Sequence, residues 1–342
     1  MQTNFNLLII VIILLISGCT KIVYRDIESK TQGYMPSIID FGAIPNDNIS
    51  DTKAFKIAIA QGVKDIYLPS GVYDIDETLE LPNDIRINGA PNATIRAIKS
   101  MNVAITMTSP NYSIQNFNIS NIIIDGNNKA INCVKIYKVS GTHQEIVRNV
   151  QCINALEDGA VFRACQVSSI YNLSFRSNGG NGAVFDGCNG IMIHNISASL
   201  NKKSGIKINY LEEGAAKYSA GLNIYGLHSE GNKGDGVSFN GLVTPASIFG
   251  GWIEGNTGNG VVVNDANVNL FGIRISGNCF PNKSIYPVNI TKNKTPFGSN
   301  VVVENCFIVN GQSELVDVFN ANKPDNVVIR NVKKYNHIQK QK

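Results

Sequence analysis

An asparagine recurs through residues 146–278 at a spacing that demands a stacked repeat. The series is Asn154, Asn178, Asn201, Asn232, Asn256 and Asn278, with intervals of 24, 23, 31, 24 and 22 along the chain. Gly182, Gly205, Gly236 and Gly260 follow four of them at a constant distance of four residues. Eight residues ahead of each asparagine is an aliphatic side chain: Ile146, Ile170, Ile193, Ile224, Ile248 and Leu270. Five ahead stand Leu173, Ile196, Leu227 and Ile273, with Asn149 and Gly251 in the first and fifth repeats. A period near 23 with aligned apolar columns marks a solenoid, in which no repeat buries enough surface to fold alone. Asparagines that merely marked surface loops would not keep register with apolar columns.

Each repeat is too short for a helix pair, and its apolar runs are β-formers such as Gly236-Val-Ser-Phe239 and Gly260-Val-Val-Val263. The expectation is an all-β fold, a single-stranded parallel β-helix whose coils lie about 4.8 Å apart. Asn is then expected at a corner because it tolerates left-handed φ. Its amide can also bond the amides above and below.

Residues 1–18 read as a secretory signal. The unbroken apolar run from Leu7 to Ile16 is too short for a stable membrane span. Ile16-Ser17-Gly18-Cys19 resembles the bacterial lipobox. That resemblance implies lipidation of Cys19, with Thr20 after it favouring the outer membrane of the cell envelope. Residues 19–35 then serve as a tether, 36–335 as the β-helix domain and 336–342 as a tail.

A second signal lies at Ile38-Ile-Asp-Phe-Gly-Ala43, Asp51-Thr-Lys-Ala-Phe-Lys-Ile-Ala-Ile-Ala60 and Ile66-Tyr-Leu-Pro-Ser-Gly-Val-Tyr73. Ser50 or Asp51 can cap a short helix there, with Ala54, Phe55, Ala58 and Ile59 on one face and Gly62 ending it. Residues 68–73 read as strand, turn, strand. The whole module resembles the N-terminal module of the pectate-lyase-like superfamily, shared by polysaccharide lyases, glycosidases and phage tailspikes. The resemblance, with the crossover rule for parallel strands, implies a right-handed β-helix. The module would cap its open end, where strand edges invite aggregation. It does not name an activity. The polygalacturonase-like Asn-x-Asp, Asp-Asp, Gly-His-Gly and Arg-x-Lys sets and the pectate-lyase signatures have no clear counterpart here.

The net charge of +4, without a basic run or a nucleic-acid motif, argues against DNA or RNA as partner. Of the seven cysteines, Cys165 and Cys188 are one repeat period apart and should stack, as an unbridged buried column or, alternatively, as a bridge. No cysteine or histidine spacing suggests a metal, and no cofactor is expected. Extra residues within 211–220 and an irregular stretch at 279–300 read as insertions projecting from one side.

In such a fold a site is read down columns. Two residues before the asparagines stand Cys152, Arg176, Ser199, Glu230, Glu254 and Ser276. Four before are Val150, Ser174, Ser197, His228, Trp252 and Arg274. Both columns should face outward. Glu230 and Glu254 would be direct neighbours whose like charges make one harder to ionise, a setting for acid catalysis. His228 and Arg274 would assist. Trp252, Arg176 and Lys207 are candidate substrate contacts. A solvated outer strand is the plain alternative for the same carboxylates. The column seven before, with Tyr171, His194, Tyr225, Phe249 and Phe271, reads as packing rather than a sugar platform. Asp158 and Asp235 read as turn residues, and Asp186 as a substitute in a second column with Asn209, Asn240 and Asn264.

The functional expectation is a lipid-anchored glycoside hydrolase or polysaccharide lyase acting in an outward groove. A carbohydrate-binding or structural surface lipoprotein is the alternative. A homotrimer with its site between chains is the third reading.

Overall fold

The structure, a computed structural model, describes residues 35–109, 117–140, 145–211, 219–278, 286–291, 300–310, 319–321 and 326–336. The segment expected to be a signal, Cys19 and nearly all of the expected tether lie outside these residues. So do most of the 211–220 and 279–300 insertions and the last six residues. From Met35 onward the chain is one unit, a parallel β-solenoid.

Each coil contributes to three stacked sheets. Asp65–Leu68 and Arg86–Gly89 open the first, and Gly71–Ile75 and Ala93–Ala97 the second. From Asn118–Asp125 onward a single strand serves both, bending at one residue between them. Glu145–Ile153, Ser169–Arg176, Met192–Ser199 and Leu222–Glu230 repeat that form. The third sheet stacks Ala160–Arg163, Ala183–Asp186 and Ile206–Asn209 beneath the starts of Val237–Glu254 and Val261–Ser276.

The core is a set of vertical files. Ile170, Ile193, Ile224, Ile248 and Leu270 are partners in register and essentially inaccessible. Phe162 stacks on Phe185 with ring centroids 4.9 Å apart, in the third-sheet file that continues through Ile208, Phe239 and Val263.

Five of the six asparagines form the expected file. Asn178, Asn201, Asn232 and Asn256 each donate from Nδ2 to the Oδ1 of the next, ending at Asn278, over 2.8–2.9 Å. Asn154 is the exception. A bulge between Ser169 and Ile170 shifts the lower strand by one, so Ala155, not Asn154, lies under Asn178. Val147, Val150 and Gln151 are accordingly the true first members of files assigned to Ile146, Asn149 and Val150, and Ile153 and Arg148 replace Cys152 and Val147. Of the six asparagines only Asn154 takes the expected left-handed φ; in the later coils that φ belongs to the residue ahead of each ladder rung, Ser177, Leu200, Gly231, Gly255 and Gly277.

The capping helix is Thr52–Ala60, with Ala54, Phe55 and Ala58 buried. Asp51 sits at its N-cap but makes no cap bond. Its carboxylate instead accepts the N–H groups of Ile44 (2.9 Å) and Asp74 (3.1 Å), sealing the edge of the first coil. Ser50 Oγ accepts from the Thr52 N–H. The 68–73 turn and its flanking strands stand as expected. Cys165 and Cys188 are buried and unbridged.

Candidate functional site

The single residue that bends each long strand must adopt left-handed φ. Asn121, Asn149, Asn172 and Asn195 do so in four successive coils, at φ 52–59°. Their side chains form a second, exposed ladder. Asn195 donates to Asn172 (3.0 Å), Asn172 to Asn149 (2.8 Å), Asn149 to Asn121 (2.6 Å), and Asn121 to Asn88 (2.7 Å). Glycine then takes over the corner, as Gly226, Gly250 and Gly272. Without side chains there, the ladder gives way to a trough.

That trough opens into a cleft of about 750 Å³. Asn195, Ser197, His228, Glu230, Trp252, Glu254 and Arg274 line it, over a floor that includes Gly226 and Gly251. The second sheet delivers the charged side chains in two outward files. Glu230 pairs in register with Glu254. His228 pairs with Trp252, and Trp252 with Arg274. Inward residues Leu227, Ile253 and Ile275 alternate with them and are buried, which fixes which face the polar residues occupy.

His228 Nε2 lies 3.1 Å from Glu230 Oε2, a contact that strand alternation sets because the two are separated by one inward residue. Both side chains are about half exposed (48% and 54%), so water screens the charge on this pair and its net stabilisation is small. The Arg274 guanidinium lies 4.7 Å from the Trp252 ring centroid and 5.7 Å from that of Phe307. His228 and Trp252 are tilted neighbours at 6.4 Å. The cleft thus offers two carboxyls one coil apart, an imidazole bonded to one of them, an indole and a guanidinium. This set can bind a polyhydroxylated ring with an acidic substituent and move a proton at its edge. Among the described residues, no group of three or more His, Cys, Asp or Glu side chains stands close enough to hold a metal ion.

Of the residues singled out in the sequence, Glu230, Glu254, His228, Trp252 and Arg274 share this cleft. Arg176 lies in the glutamate file but two coils away, with Ser199 between it and Glu230. Lys207 does not join them. It sits in the third sheet between buried Ile206 and Ile208, paired with Val184 and Ser238, and so faces out from a different side of the solenoid. Sequence reasoning passed over Asn195 and Gly226, and placed Ser197 and Gly251 in columns without singling them out for the site. The signal was present for the first: Asn149, Asn172 and Asn195 recur at the same period as the buried asparagines.

The outer aromatic file stacks as a continuous column on the first sheet. Tyr171, His194, Tyr225, Phe249 and Phe271 have successive centroid distances of 4.6–5.3 Å. The three inner rings are covered on both faces, so packing is what the column does. Asp186 accepts from Asn209, which leads on to Asn240 and Asn264. Asp158 and Asp235 sit at turns, each accepting the side chain and backbone N–H of one asparagine in the next coil, Asn181 and Asn259.

The family model described as rhamnogalacturonase A/epimerase, pectate lyase-like, matches residues 36–268. No curated protein matches the chain. Among solved structures, the A-module of a mannuronan C-5 epimerase from Azotobacter vinelandii is similar, with a TM-score of 0.65 at 19% identity. The match covers 88% of this chain and 97% of that one. The tailspike protein gp49 of Pseudomonas phage LKA1 gives 0.63 at 12%, covering 88% and 77%. The family 28 exopolygalacturonase of Yersinia enterocolitica gives 0.57 at 12%, covering 89% and 78%. At these identities the likeness is one of fold.

Proposed function

Because the chain belongs to the rhamnogalacturonase A/epimerase, pectate lyase-like family, a family of right-handed β-helices, we propose that it acts on an acidic polysaccharide held in the cleft over Glu230 and Glu254. The observation that carries this reading is the register pairing of the two glutamates beneath one open cleft. Adjacent coils set their backbones about 4.8 Å apart. Carboxyl groups about 5 Å apart suit a retaining glycosidase, in which one attacks the anomeric carbon and the other protonates the leaving oxygen.

His228 Nε2 faces Glu230 Oε2, which assigns Glu230 the acceptor role, as nucleophile. Glu254 has no such donor among the described residues and serves as the proton donor. Trp252 stacks against a sugar ring, and Arg274, which has no ion pair with a described residue, receives a sugar carboxylate. Export and anchoring through a lipid on Cys19 belong to the same reading. They place the cleft in the bacterial envelope, where polysaccharide is met.

Product release from oligogalacturonate and oligomannuronate tests the proposal. Glu230→Gln and Glu254→Gln should each abolish it, and unchanged release in both removes these residues from catalysis. An unsaturated, ultraviolet-absorbing product would mark a lyase instead. The half-exposure of Glu230 favours a second reading, binding without turnover. Retained glycan affinity with no product under any condition would select it. Loss of membrane association in Cys19→Ala tests the anchor.

A further inference from the structure

The exposed asparagine ladder stops where the cleft begins. In each rung the side-chain NH2 donates to the rung before it, so donation runs back from Asn195 toward Asn88. An amide that donates becomes a stronger acceptor at its own oxygen, and a chain of such bonds reinforces the effect. The open end of this chain is Asn195 Oδ1. The next corner is Gly226, which has no amide to offer it. The oxygen lies 2.8 Å from the point where a Gly226 Cβ would stand, so it occupies the trough itself. No described residue donates to it, and Asn195 lines the same cleft as His228, Trp252 and Arg274.

We propose that Asn195 Oδ1 is a hydroxyl-accepting subsite that positions a sugar ring of the bound polysaccharide. The inference rests on the polysaccharide reading above and adds a specificity determinant to it. The oxygen is held in place before the ligand arrives, because the other end of the same amide is tied to Asn172. A fixed acceptor loses little freedom on binding and discriminates against a sugar lacking the matching hydroxyl. Gly226 is then the residue that keeps the subsite vacant for ligand. An asparagine there would extend the ladder by one rung and satisfy the oxygen internally.

The test is calorimetric titration of the full chain and three variants with oligogalacturonate and oligomannuronate. Gly226→Asn places the ladder residue at φ +76°, a left-handed corner of the kind that asparagine fills in the four coils below. Its Cβ would press on Asn195 Oδ1, so that amide must shift as the new rung forms; the variant should stay folded, as its melting curve will show, and bind at least about 10-fold more weakly. Asn195→Ala should bind about 5- to 10-fold more weakly, the loss of one hydrogen bond. Gly62→Asn, at the end of the capping helix with the same φ of +76° and open space around it, should bind within about two-fold of wild type. Wild-type affinity in both Gly226→Asn and Asn195→Ala overturns the subsite while leaving the cleft reading in place. Failure of the wild type to bind either oligosaccharide removes the acidic-polysaccharide reading and the subsite with it.

Discussion

Asn178 and Asn201 share one oxygen: Asn201 Oδ1 accepts the Asn178 side-chain N–H at 2.9 Å and the Asn178 backbone N–H at 3.1 Å. Each rung therefore satisfies two donors of the coil below it, inside a core where water cannot. The same double acceptance repeats at Asn232, Asn256 and Asn278.

Removing a middle rung should consequently cost far more than removing a rung-like residue outside the file. Asn232→Ala strands two buried donors of Asn201, each worth about 1–3 kcal/mol, so a loss of about 2–6 kcal/mol is expected. Asn154→Gly keeps a residue suited to the left-handed φ of 55° at that corner, loses only a part-buried bond to Asp125 and should cost about 1 kcal/mol. Denaturant midpoints measure both, and equal costs would contradict the ladder account.

The cap carries a pH dependence. Lys99, Ser50 and Thr52 all hydrogen-bond the Asp76 carboxylate, holding its pKa far below the ordinary carboxylate range, with Lys99 the largest cause. A carboxyl whose folded pKa is depressed adds stability that is fully present above its unfolded value, near 4, and is lost as pH falls through the folded one. Burial pushes the Asp51 carboxyl the other way. That contribution is present at low pH and lost as pH rises through its folded value. Asp76→Asn isolates the first effect: its melting temperature should fall less steeply than wild type on acidification below pH ~4.

Burial, and then the neighbouring thiols of Cys133 and Cys165, push the Cys152 and Cys188 thiols well above their usual range. Neither should react with a thiol reagent at mildly alkaline pH until the chain unfolds. Mass spectrometry of native and denatured samples reads this residue by residue. Rapid native labelling of Cys188 would show that the coil is not closed there.

Glycine four residues past a ladder asparagine is a matter of space. A Cβ at Gly236 would stand 2.5 Å from the Gly260 carbonyl oxygen and closer still to Ile253, so Gly236→Ala should destabilise by at least about 2 kcal/mol. Gly250→Ala meets nothing within 4 Å and bears only its left-handed φ of 67°, a cost of about 1–2 kcal/mol. Thermal melts should rank the two in that order.

Much of the site could be read in the letters because a solenoid turns sequence distance into height. Glu230 and Glu254, or His228 and Trp252, are neighbours for the same reason that Asn232 and Asn256 are. Where the period slips, that reading slips too. The bulge beside Ile170 displaced the first repeat by one residue and sent Asn154 to a corner instead of the core. Lys207 failed differently. It stands one period ahead of Glu230, yet the long connection from Asn209 to Leu222 places it on the third sheet, a full face away.

The sequence by itself determined the stack, its period, the buried amide file and the outward glutamates. All of these follow from local alternation and a near-constant repeat. Only the tertiary structure decided where the chain bends, and so that glycine replaces asparagine along the corner just above Asn195. It also decided that the cleft opens there. A bend is set by backbone angles and by what stacks above and below, and these are properties of neighbouring coils rather than of any one stretch of chain.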